Sequence, residues 1–332
     1  MVNCRVCRID EVTYIVERRW GMGRLHETPE VLACGQNQRR PPALACWRQV
    51  GYNQQLRIWA GRCSLARAKG RENAPLLSFL ILGSVLTTMN LHPDLELQVA
   101  IAKIKKHAVS ESGDTAELIE RPHGGLSLIL VDGQRSGKSA KAISNIVARK
   151  AVSLLADGVH DGTVARAAHD YLRTLRGGQV SATLNIVSVD LVTRTIVISR
   201  NSHCPVVIMH GKEGELRLLD EPSQAIGIHA HIRPVITEVP IAADLHVVVF
   251  TDGVSSAGER YGEKLDVSAF VREQLGVCSG ETCARTLADA LLARAVELDR
   301  GRPGDDVSVA VVSLVARQQP DDARRLSARF PI

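Results

Sequence analysis

Two stretches of this chain end in the same way. Leu126-Ser127-Leu128-Ile129-Leu130-Val131 runs into Asp132-Gly133, and Leu245-His246-Val247-Val248-Val249-Phe250 runs into Thr251-Asp252-Gly253. Short, uninterrupted apolar runs bounded by turn residues are buried strands. The carboxylate that follows is fixed on the rim of the strand, where Asp-Gly turns the chain out of the core. Two further acidic sites stand at comparable places: Gly304-Asp305-Asp306 opens the apolar run from Val307 to Leu314, and Ser112-Gly113-Asp114 precedes the first of the two Asp-Gly strands. Each Asp alone reads as an ordinary turn; four at strand or loop ends that can converge read as a site. Carboxylates gathered this way, without Cys or His at ligand spacing, suit hard cations such as Mg2+ or Mn2+ and not zinc.

The chain has 332 residues, 45% of them hydrophobic, enough for one large domain or two small ones. Its net charge of +5 is unevenly placed: residues 1–90 carry +7 and the remainder −2, so the putting of charge argues against a nucleic-acid face on the main body. The first segment also holds all three Trp (Trp20, Trp47, Trp59) and five of the eight Cys. No sustained period of 3.6 or 2 runs through it, and residues 1–90 are expected to be irregular or disordered, with Met89 as an alternative start of the folded chain. Cys4-Arg5-Val6-Cys7 lacks the second pair a zinc site needs. Leu76 to Leu86 is too short to cross a bilayer. No signal peptide or spanning helix is read, which sets the cytoplasm as the expected compartment and Cys204, Cys278 and Cys283 as reduced, small hydrophobes.

Residues 91–316 read as one domain and 317–332 as a polar tail. Leu95 to Val109 suits a strand or short amphipathic element. Ile143, Ile146, Val147, Ala151, Leu154 and Leu155 share one helical face opposite Lys141, Asn145 and Arg149, which predicts a helix over 139–156 that Gly158 ends. A second helix is expected over 163–175, closed by Gly177-Gly178. Short strands follow at 182–189, 195–199, 206–209 and 215–219, spaced for antiparallel hairpins. The strand ending at Phe250, a helix over 281–298 and a last strand over 307–314 complete an α+β pattern of sheets flanked by helices.

The loop Gln134-Arg135-Ser136-Gly137-Lys138-Ser139 imitates a phosphate-cradling P-loop. Its spacing rules that out: the first Gly of such a loop falls at Asp132, whose charge would repel the phosphates. Arg135 and Lys138 read as a solvated basic loop that could reach a substrate phosphate. His203 reads as a turn residue.

Taken in order, Ser112-Gly113-Asp114, Val131-Asp132-Gly133, Gly178-x-x-Ser181-Ala182-Thr183, Asn201-x-His203-x-Pro205, Ala225-Ile226-Gly227, Phe250-Thr251-Asp252-Gly253 and Gly304-Asp305-Asp306-Val307 resemble the metal-dependent (PPM-type) serine/threonine protein phosphatases, most closely the SpoIIE-like bacterial branch. The resemblance covers about Leu95 to Leu314. It implies a four-layer αββα sandwich with two central antiparallel sheets. It further implies a site of two divalent cations, Mn2+ or Mg2+, in which Asp132 and the carbonyl of Gly133 bridge, Asp114 holds one ion, and Asp252 and Asp305 hold the other, with Asp306 the lesser partner of its pair. Thr183 and Asn201 are implied to be structural.

Under this resemblance Asp132, Asp252 and Asp305 carry the catalysis, through a water that two cations activate for in-line attack on a phosphoester. Gln134 stands where eukaryotic members carry a His, so the general acid stays unassigned. The implied partner is a phosphorylated regulatory protein, an anti-sigma factor antagonist of a partner-switching circuit, with no role for nucleic acid or membrane. The rival reading is a catalytically weak phosphoprotein-binding module of the same fold.

Overall fold

A computed structural model describes residues 3–9, 12–18, 95–211, 214–278, 283–317 and 322–330. The chain divides into two units, Met1–Pro75 and Leu76–Ile332. In the first, β1 (Asn3–Ile9) and β2 (Val12–Arg18) pair antiparallel, with Asn3 opposite Arg18. The rest of the segment expected to be irregular, and Met89 with it, lies outside the described residues.

In the second unit, β4 (Thr115–Glu120), β5 (Leu126–Gly133), β6 (Ala182–Asp190), β7 (Thr195–Asn201) and β10 (Val235–Pro240) form one sheet in the order β10-β7-β6-β5-β4. The other is β3-β12-β11-β8-β9, built from β3 (Leu95–Ile104), β8 (Val206–His210), β9 (Leu216–Leu219), β11 (Leu245–Phe250) and β12 (Val307–Ala316). Every pairing in both is antiparallel.

Period-two alternation sorts the side chains into three cores. Leu128 and Leu130 of β5 meet Leu245, Val247 and Val249 of β11 and Val312 of β12 between the sheets. Ile129 and Val131 point the other way, onto Val147, Ala151 and Leu155 of α1 (Gly137–Ala156) and Val164 and Leu172 of α2 (Asp161–Arg176). Val248 and Phe250 pack with Val271 and Leu275 of α4 (Val267–Val277) and Leu287 and Leu291 of α5 (Cys283–Leu298). The result is helices, sheet, sheet, helices, as an αββα sandwich requires. Each fully buried Leu or Ile contributes roughly 1.5–3 kcal/mol, so these strands bind their layers on both faces. Cys204, Cys278 and Cys283 are buried in the third core.

The helix expected over 139–156 begins two residues earlier, at Gly137. Strands β4 and β10 and helix α4 lie where the sequence suggested no element. Both strands are sheet edges: β4 carries Glu117 and Glu120, and β10 alternates half-buried with exposed residues and ends in Pro240. Edges are kept charged or interrupted to prevent further pairing, which removes the apolar run that reveals a central strand. Helix α4 is short, and Asp266 caps it by accepting from the Ala269 amide at 3.0 Å. Among the described residues no helix is long and apolar enough to cross a membrane.

At the end of β5 and β6 away from Asp132, Arg121 donates to both oxygens of buried Asp161 at 3.1 and 3.2 Å and to Ser188 at 3.0 Å. This knot ties the start of α2 to the sheet and leaves the opposite strand ends for the site.

Candidate active site

Register places the site. Asp132 pairs with Thr183 and Gly133 with Ala182, so the carboxylate emerges at the last rungs of the β5–β6 ladder. Gln134 extends the pairing: its amide donates to the Ser181 carbonyl at 3.1 Å, and its side-chain oxygen accepts from the Ser181 amide at 3.1 Å. Ala182 also exchanges both backbone bonds with Ile226, at 3.0 and 2.9 Å, which brings Ala225 to the same rim. Asn201 donates to the Gln224 carbonyl at 2.9 Å and anchors that loop from below.

In the other sheet, Asp252 begins the short α3 (Asp252–Ser255) directly after β11, while Asp305 lies just before β12. Thr251 and Ser308 join these two strand ends to the first sheet by hydrogen-bonding Oδ2 of Asp114 at 3.1 and 2.6 Å. Oδ1 of Asp114 is buried and has no hydrogen-bond partner. A buried carboxylate oxygen left bare is costly, and one that awaits a cation resolves the cost.

Backbone is packed tightly around these groups. A Cβ on Gly133 would meet the Ala140 carbonyl at 2.2 Å, and one on Gly253 would meet the Asp306 carbonyl at 2.2 Å. Each Asp-Gly pair therefore serves a close approach of chain to chain as well as a turn.

Asp132, Asp252 and Asp305 line an open cleft of about 330 Å³ together with Gly133, Lys106, Arg135 and His203. Burial pushes the Asp132 carboxyl up to about 9, and the charges of Asp114, Asp252 and Asp305 add to the effect. Burial likewise raises Asp114 to about 7 against the hydrogen bond from Ser308. Asp305 is raised by burial as well, opposed by the amide of Asp306. Among the described residues no three Asp, Glu, His or Cys side chains are drawn into one ligating cluster. Asp132, Asp252 and Asp305 line the cleft, Asp114 is buried behind it, and the charges of Asp114, Asp252 and Asp305 all act on Asp132. The donor set is all oxygen and rich in negative charge, the composition hard divalent cations take, and the bare Oδ1 of Asp114 fits the same use.

Asp306 is different. It is buried and accepts from the amides of Lys106 and Gly113, both at 2.9 Å, so it fastens the turn that carries Asp114. Replacing Asp306 by Ala strands both amides and should lower the melting temperature by roughly 4–8 °C, the equivalent of about 2 kcal/mol. Asp305→Ala should leave the melting temperature in chelator within a degree or two of the parent and weaken Mn2+ binding, read by calorimetry. The opposite pattern would exchange the roles of the two residues.

His203 was expected to be a turn residue. It does lie in a bend, yet its Nε2 stands 3.6 Å from Oδ2 of Asp252, and that carboxylate pushes the imidazole up to about 10. The signal in sequence was weak: a single His between Ser202 and Cys204, with no partner at helical or ligand spacing. Lys106 also joins the cleft without any sequence motif to announce it. Lys138 is not among the cleft-lining residues.

The sequence model of the family described as Stage II sporulation protein E (SpoIIE) matches residues 122–315. The fold is similar to that of the PP2C phosphatase domain with a fragment of the regulatory domain of SpoIIE from Bacillus subtilis, at 18% identity and a TM-score of 0.58, covering 68% of this chain and 65% of that one. It is also similar to the RsbU and RsbW domains of a Mycobacterium tuberculosis protein, at 15% identity and a TM-score of 0.56, covering 67% and 61%. A third similar structure is RsbX in complex with magnesium, at 15% identity and a TM-score of 0.51, covering 67% and 99%. Among curated proteins no sequence matches the chain. At these identities the likeness to the solved structures is one of fold.

Proposed function

The chain belongs to the Stage II sporulation protein E family, and from that premise we propose that it is a metal-dependent protein phosphatase acting on phosphoserine or phosphothreonine in a regulatory protein. The observation that carries the reading is that Asp132, Asp252 and Asp305 line one cleft, with Asp114, whose charge acts on Asp132, buried behind them and its Oδ1 without a hydrogen-bond partner. Asp132 and the Gly133 carbonyl would hold two divalent cations in common, with Asp114 on one and Asp252 and Asp305 on the other. Mn2+ or Mg2+ bound there would supply Lewis acidity and neutralise charge on the phosphoryl oxygens. The complex of RsbX with magnesium supports a divalent cation in this fold.

The protein groups have separate tasks in this reading. Thr251 and Ser308 fix Asp114 through Oδ2, which leaves Oδ1 as the oxygen that would meet a cation. Gln134, clasped to Ser181, holds the loop wall and is not a proton donor. His203 stands 3.6 Å from Asp252 and lines the cleft, where its positive charge would favour an anionic substrate. No Ser or Cys is needed as a nucleophile.

The substrate we infer is a phosphorylated anti-sigma factor antagonist in the cytoplasm, an inference drawn from the family resemblance and supported by a similar structure that joins RsbU and RsbW domains. The full chain should release phosphate from a phosphoserine protein or an aryl phosphate with Mn2+ and release none in EDTA. Release that persists in EDTA overturns the metal-dependent mechanism. Inactivity on every phosphoester in Mn2+ would leave the phosphoprotein-binding module as the better reading.

A further inference from the structure

The loop between β5 and α1 contains a residue whose backbone and side chain make opposite demands. Arg135 sits at φ 77°, in the left-handed region that glycine occupies freely and an arginine occupies under strain. Glycine is available to this loop, since Gly137 takes φ 66° two residues later. Strain of this kind persists where a side chain is required at the position.

Among the described residues, His123, Arg194, Asp244 and Arg300 share a left-handed backbone, yet of these five only Arg135 lines the cleft. Arg300 is engaged elsewhere, with its guanidinium 4.1 Å from the Tyr261 ring. Arg135 has no hydrogen bond, ion pair or ring contact with any described residue, although three carboxylates line the same cleft. Arg135 is thus an uncommitted cation among the residues that line an acidic cleft. Lys106 enters that wall from the other sheet, directly beyond β3.

Resting on the phosphatase reading, we propose that Arg135 binds the phosphoryl group of the substrate. A planar guanidinium matches two phosphoryl oxygens with paired N–H donors, a geometry an ammonium lacks. The cleft's carboxylates repel a phosphate dianion; a cation on the wall offsets that repulsion and orients the oxygens that face away from the floor. A required side chain at this position would account for a strained arginine standing where glycine would be easier.

The test uses the full chain in Mn2+ with inorganic phosphate as the probe, titrated by calorimetry, beside KM for an aryl phosphate and a phosphoserine protein. Arg135→Ala should weaken phosphate about tenfold and raise both KM values by a similar factor, the loss expected for a charge-assisted contact. Lys138→Ala, a cation in the first turn of α1 outside the cleft lining, should change each by less than about twofold. Arg135→Gly should lose phosphate as Arg135→Ala does while melting no lower than the parent, because glycine relieves the backbone.

Unchanged phosphate affinity in Arg135→Ala overturns the proposal, as does an equal loss in Lys138→Ala. A rise in KM confined to the protein substrate assigns Arg135 to the protein surface and overturns the phosphoryl contact. An Arg135→Gly protein that melts several degrees lower makes the residue structural. Phosphate bound through Arg135 by a protein that turns nothing over would sink the phosphatase reading alone. Turnover with Arg135-independent phosphate binding would sink this one alone.

Discussion

Asp132→Ala is expected to reduce Mn2+-dependent phosphate release by at least on the order of 10³-fold, a loss of about 4 kcal/mol of transition-state stabilisation. Asp132 is the carboxylate that feels all three of the others: the charges of Asp114, Asp252 and Asp305 each raise its pKa. Under the proposed two-cation reading Asp132 is the ligand both ions share, so its removal would weaken the whole set and not one ligand. The loss should not come from unfolding. A buried carboxylate surrounded by like charge opposes the folded state, so without metal the variant should melt at or above the parent temperature. Phosphate release and thermal melting in chelator, measured on the same preparation, separate the two causes. Activity within tenfold of the parent would rule out Asp132 as the shared ligand, and a large drop in melting temperature would make the residue structural.

What could be read from the sequence follows from burial. Central strands such as β5, β6, β11 and β12 are buried on both faces and appear as apolar runs, so their positions and the Asp-Gly turns that end them were visible. Edge strands β4 and β10 are half-exposed and carry the polar texture of loops. Asp114, Asp132, Asp252 and Asp305 were legible as candidates from their place at strand ends and from the ordered resemblance, which ranked Asp306 below Asp305, yet sequence spacing alone could not separate that pair. The separation rests on two backbone amides, those of Lys106 and Gly113, about 200 residues away in the chain. Lys106 and His203 were missed as members of the cleft for the same reason, because a single residue brought in by sheet packing leaves no periodic trace.

Metal-free protein is expected to lose stability as pH rises, and Mn2+ to restore it. Burial and mutual repulsion raise Asp132 to about 9 and Asp114 to about 7, while both titrate near 3.8 when unfolded. Below about pH 3.8 both states are protonated and the pair is neutral to folding. Above that value the unfolded chain releases protons that the folded protein retains, so each step up in pH favours unfolding until the folded carboxyls ionise near 7 and 9. Buried His169 and His246, whose pKa values are lowered by burial, act in the opposite sense, but only below their unfolded value of 6.5. His203, raised to about 10 mainly by Asp252, adds a loss of its own as pH climbs. The window from about pH 7.5 to 9 lies above the range of His169 and His246. Lys141, lowered by burial, opposes the trend where it deprotonates, and Asp132→Asn subtracts the part due to Asp132. In EDTA the parent should melt progressively lower across that window and Asp132→Asn should fall less. Cation at about 100 times its Kd adds roughly 2.7 kcal/mol, or about 5–11 °C, to the parent, with the larger gain at high pH because ligands must be deprotonated to bind. A melting temperature indifferent to Mn2+, or a pH slope identical in parent and Asp132→Asn, would mean that the carboxylates of this cleft neither repel one another nor gather a cation.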